Sequence, residues 1–124
     1  MKKLLPLFII ALLSFAGCHP KTAVYEESKD PQVVLDNCDK FVNYTFEKSK
    51  RYNEEDWKVT IDEFVHMCKN YKTVEWQLFE KDRERFSADL VKFMKAVDAT
   101  GNVDMALDIK AKYAEVCENF GNKN

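Results

Sequence analysis

Tyr52-Asn53-Glu54-Glu55-Asp56-Trp57 is the stretch that decides the fold. Asn53 can cap a helix, Asp56 stands at the third helical position, and Glu54 and Glu55 put negative charge where a helix N-terminus favours it. Tyr52 before the cap and Trp57 at the fourth position can close a hydrophobic staple. Trp57, Ile61, Phe64, Cys68 and Tyr71 then continue the helix at three-four spacing. Upstream, Asp30-Pro31 offers a capping residue followed by proline, which opens another helix. Its seam is Val34, Cys38, Phe41, Thr45 and Tyr52, interrupted by Lys48, with Leu35, Val42 and Phe46 as a second stripe. With Val33 and Tyr44 the apolar arc is wider than one core face requires. Either this helix touches two neighbours, or Tyr44 or Phe46 belongs to a partner surface.

The turn at Arg51-Tyr52-Asn53 is short, so the first two helices should be antiparallel neighbours. Residues whose numbers add to about 106 then face each other. Cys38 and Cys68 satisfy that register and lie on inward stripes, which predicts a Cys38–Cys68 disulfide, with two core thiols as the alternative. Closing a loop of about 30 residues contributes roughly 3–4 kcal/mol in the chain-entropy treatment. A third helix is predicted from near Thr73, with a restart near Phe79 as the other reading. Its seam is Trp76, Phe79, Phe86, Leu90, Phe93 and Val97, and Arg83 within it should snorkel at the bundle end. Gly101 ends it, and the fourth helix runs from Asn102 to Gly121 on Ala106, Ile109, Tyr113, Val116, Cys117 and Phe120. Cys117 reads as a buried thiol, though a bridge to Cys38 or Cys68 stays open. The predicted fold is all-α: an antiparallel four-helix bundle of two αα-hairpins over residues 31–121.

Few of these residues carry chemistry. Glu63-Phe64-Val65-His66 fits a Glu-x-x-His half-motif, but a di-iron bundle needs a second one and two more inward glutamates. The only other histidine is His19, and His66 should face water. The cysteines lie on apolar stripes without a base beside them, which argues against a nucleophile. Three glycines leave no phosphate-cradling loop. The expectation is no enzyme, no metal and no cofactor. With a net charge of −2 and interspersed signs, nothing points to nucleic acid.

The N-terminus sets the compartment. Met1-Lys2-Lys3, the apolar run Leu4 to Phe15 and Ala16-Gly17 before Cys18 have the order of a secretory signal, and the run is too short to span a bilayer. Ending on Cys18, it resembles the lipobox of bacterial lipoproteins, although Phe15 stands where that class usually has leucine. The resemblance implies removal of residues 1–17, acylation of Cys18 and attachment to the lipid bilayer. Cleavage after Ser14-Phe15-Ala16, releasing a soluble protein, is the other reading. An exported chain meets an oxidising compartment, where disulfides form. Residues 18–30 read as the lipidated cysteine and a flexible tether with a mean reach of roughly 20 Å. The missing aspartate after Cys18 implies an outer-membrane address by resemblance to enteric lipoproteins.

The domain itself looks like the small helical lipoproteins of unknown function from gut Gram-negative bacteria. Tyr52 to Trp57, Phe64, Tyr71 and the helix from Phe79 to Val97 carry that likeness. It implies fold and location but no chemistry. The function expected is a membrane-anchored, non-catalytic binding or adaptor module of the cell envelope with an envelope protein as partner. The alternative is a structural or stress-related envelope protein with no specific ligand.

Overall fold

The computed structural model describes residues 21–121; the leader, Cys18 and the tail at 122–124 lie outside them. Four helices pack against one another: α1 (Pro31–Lys48), α2 (Glu54–Val74), α3 (Glu80–Asp98) and α4 (Val103–Gly121). The caps follow the local sequence. The Asp30 carboxylate accepts from the Gln32 and Val33 amides, at 2.9 and 3.4 Å, with Pro31 opening α1. At α2, Asn53 Oδ1 accepts from the Asp56 amide while Asp56 Oδ2 accepts from the Asn53 amide, both at 2.9 Å. The staple also forms, with the Tyr52 and Trp57 rings edge to face at 5.4 Å.

The third helix takes the later of its two predicted starts. After Val74 the chain tightens into a 3₁₀ turn over Glu75–Gln77 and restarts at Glu80. Phe79, at the cap position, has no side-chain oxygen; its backbone carbonyl accepts from the Asp82 and Arg83 amides, and the Arg83 guanidinium donates to the Leu78 carbonyl at 2.6 Å. Arg83 therefore serves the bundle end, and Leu78 enters the core in place of Trp76 and Phe79. At the next turn Thr100 Oγ1 accepts from the Asn102 amide, and Asn102 Oδ1 accepts from the Met105 amide. Gly101 sits at φ 74° with open space around its missing Cβ. A Gly101→Ala substitution meets no clash, so its cost is the left-handed backbone alone, about 1–2 kcal/mol. Thermal unfolding should show that loss with the helical signal unchanged.

The broadest helix pairing is α1 on α3, followed by α2 on α4. Side-chain bonds between α1 and α3 join residues 46 to 50 positions apart, from Gln32–Asp82 through Asp36 and Asp39 with Arg85 to Asn43–Lys92. A constant offset of that kind arises when two helices run in the same direction. The antiparallel description of the bundle therefore does not cover its largest contact. The link from α2 to α3 joins elements facing each other across the core, where Phe64 stacks on Phe93 at 4.2 Å and Tyr71 on Phe86 at 3.6 Å.

The expected tether needs the largest correction. Lys21 to Asp30 is not a free leash but a strap laid along α2. Lys21 Nζ pairs with Asp56 at 2.8 Å, the Tyr25 amide donates to Glu63 at 2.8 Å, and the Tyr25 hydroxyl donates to Asn70 at 2.6 Å. Asn70 also exchanges bonds with the Ser28 backbone, at 2.9 and 3.1 Å. These partners step along α2 from 56 to 63 to 70, a rise of roughly 21 Å. An extended chain from 21 to 28 covers about the same length. Tyr25 is only 2% exposed and meets Phe41 edge to face at 6.5 Å, so the strap belongs to the core.

Candidate functional site

The predicted disulfide partners Cys38 and Cys68 are both buried, and both stand as free thiols, as does the partly buried Cys117. Burial pushes the Cys38 thiol up to about 12. Burial also raises Cys68, with the neighbouring Cys38 and Cys117 adding to the effect. The three thiols thus share one neighbourhood. A thiol held protonated in an apolar core is a poor nucleophile. Among the described residues no group of three or more His, Cys, Asp or Glu is placed to hold a metal ion. His66, expected to face water, keeps its side chain 41% exposed while touching the strap: Nε2 is 2.7 Å from Glu27 Oε1 and the ring meets Tyr25 edge to face at 5.4 Å.

A cavity of about 850 Å³ lies between the α1–α2 and α3–α4 turns. Trp57, Ile61, Ala96 and Met105 floor it, and Lys50 and Asp108 are on its rim. Ser49, Glu54, Lys58, Thr100 and Asp104 also line it.

One charged cluster went unrecognised in the sequence. Arg85 on α3 reaches Asp39 at 2.6 and 3.0 Å and Asp36 at 2.8 Å. Beside them Asp89 is 8% exposed, and its Oδ2 has no hydrogen-bond partner. Burial, then the adjacent Asp39 carboxylate, push Asp89 up to about 8 against the pull of Arg85 and Lys92. Its protonated form is favoured, but it is sealed between α1 and α3, away from the cavity described above. Its consequence is for stability.

The surface offers a clearer candidate. Of the two residues proposed for a partner surface, Tyr44 is half-buried, and Phe46 is 39% exposed with Lys92 Nζ 5.0 Å over its ring. At the end of the bundle where α2 gives way to α3, Trp76 is 80% and Phe79 78% exposed. These two rings, three positions apart, flank the buried Leu78 and form an aromatic apex. The sequence reading had placed both in a seam, because their spacing suits a continuous helix. The turn that breaks the helix carries no glycine or proline to announce it.

No protein-family model, curated protein or solved structure matches this chain. The fold and its surface define an all-α, four-helix domain with an N-terminal strap and an aromatic apex. No helix among the described residues is long and apolar enough to cross a membrane.

Proposed function

We propose that the chain is a lipid-anchored bacterial lipoprotein whose domain is a non-catalytic binding or adaptor module of the cell envelope. Residues 1–17 are its signal peptide, acylated Cys18 joins it to the bilayer, and the outer membrane is its address. The anchor rests on the lipobox order around Cys18. The binding role rests on the apex: large aromatic side chains bury well against a partner and are enriched at interface hot spots, whereas Trp76 and Phe79 bury little here. The partner is an envelope protein, and no cofactor is required.

The test is a crosslinking pull-down from envelope fractions with the wild type and a Trp76→Ser, Phe79→Ser double variant. The wild type is expected to recover a defined partner and the double variant to lose it. Because both rings are exposed, the variant's stability should change by no more than about 0.5 kcal/mol. Equal recovery by both proteins, or none above background by either, contradicts the reading and favours a structural envelope role. We further propose that Cys38 and Cys68, free thiols in this structure, become oxidised to a disulfide in that oxidising compartment. Peptide mapping without reductant should find the two peptides joined; full alkylation of both cysteines in the exported protein would contradict it.

A further inference from the structure

We propose that the strap fixes the domain's polarity on the membrane. The end bearing the α1–α2 and α3–α4 turns lies against the lipid surface, and the Trp76–Phe79 apex is held away from it. The proposal rests on anchoring through Cys18 and adds an orientation that anchoring alone does not impose.

The argument begins at Lys21. Its ammonium is paired with Asp56, in the first turn of α2, which places the start of the strap at that end of the bundle. From Cys18 to Lys21 the chain spans at most about 11 Å even when fully extended. A flexible leash from Cys18 to Asp30 would have let the domain tumble. With residues 21–30 bound down, only that short reach is left between the lipid and the bundle. The α3–α4 turn shares this end, since Asn53 and Trp57 line the same cavity as Asn102 and Met105.

The chemistry of this end suits a lipid headgroup layer. Lys48, Lys50 and Arg51 close α1 there, and Val103 and Leu107 on the first turns of α4 are 67% and 58% exposed. Glu54, Glu55, Asp98, Asp104 and Asp108 share this end, so the attraction is not one of bulk charge, and the short leash is what holds the orientation. The apex follows Val74, eighteen positions along α2 from Asp56, a rise of roughly 27 Å. At that height its aromatic pair is beyond contact with the bilayer that holds Cys18 and meets only a protein partner.

Brominated-lipid quenching of tryptophan fluorescence tests this on the full mature lipoprotein, reconstituted in vesicles of phosphatidylethanolamine and phosphatidylglycerol with bromines near the headgroup. Trp57 is common to two samples: the wild type, reporting the apex through Trp76, and a Leu107→Trp, Trp76→Phe variant, reporting the opposite end. The variant is expected to be quenched at least twofold more than the wild type. Equal quenching, or stronger quenching of the wild type, overturns the polarity. Inserting twelve Gly-Ser residues between Pro20 and Lys21 should erase the difference, and a difference that survives the insertion overturns the leash as its cause. Intact mass of each reconstituted sample reads acylation of Cys18 separately, so failure of the anchor is distinguished from failure of the orientation.

Discussion

Tyr25→Ala should destabilise the domain by about 3–5 kcal/mol, the cost of truncating a fully buried aromatic ring. A small domain has a total stability of roughly 5–15 kcal/mol, so this single change removes a large share of it. Tyr25 seats its ring edge against Phe41 and His66 and donates its hydroxyl to Asn70. The ring lost, the strap is held to α2 by the polar contacts of Lys21, Glu27 and Ser28 with Asp56, His66 and Asn70 and by the Tyr25 amide on Glu63. Tyr25→Phe separates the two contributions. It keeps the packing and removes one hydrogen bond, and Asn70 retains its bonds with Ser28, so about 1 kcal/mol is expected. Urea unfolding of both variants, followed by circular dichroism, checks this. A loss below about 0.5 kcal/mol for Tyr25→Ala, typical of a surface position, would return residues 21–30 to the status of a free tether.

Stability should also fall as pH rises from about 4 to about 8, and Asp89 is the cause. Its folded-state value lies near 8, above the ordinary value of 3.8, so the native state holds a proton that the unfolded chain has released across that window. Whenever the native state binds more protons than the unfolded one, stability declines with pH. The contribution is fully present below about 4 and is lost as pH passes through 8. Four pH units at 1.36 kcal/mol each set an upper bound of about 5 kcal/mol, which water entry and relaxation of Arg85 reduce. Asp89→Asn, uncharged at every pH, should flatten this dependence and stabilise the protein by about 1–3 kcal/mol at pH 8, with little effect at pH 4. Denaturation midpoints of both proteins from pH 4 to 9 provide the measurement. Parallel curves would mean that Asp89 titrates as an ordinary surface carboxyl.

What the sequence made legible, and what it concealed, follow from the range of the interactions involved. Caps are local: Asp30-Pro31 and Asn53 to Asp56 state their own geometry within four residues, and both helices start where those residues place them. The periodic seams of α1 and α2 identified Val34, Cys38, Phe41, Ile61, Phe64 and Tyr71, all of them buried. The strap was missed because an extended segment has no helical period, and its partners Glu63 and Asn70 look like solvent-facing residues when α2 is read alone. Tyr25, a lone aromatic in a polar stretch, was the available signal. Asp89 lies three positions from Phe86 on the inward side of α3, but its partners Asp39 and Arg85 come together only when α1 and α3 run side by side. Trp76 was placed in a seam by periodicity that the 3₁₀ turn interrupts. The apex is therefore a tertiary feature, and with it the strongest candidate for a partner surface.

The polarity proposed for the domain and the role proposed for its apex both depend on acylation of Cys18. Intact mass spectrometry of the native protein, extracted from membranes in detergent, addresses that dependence directly. The expected species begins at Cys18 and carries the added mass of its acyl groups. A chain that begins at any other residue, or one that begins at Cys18 with no added mass, would contradict it.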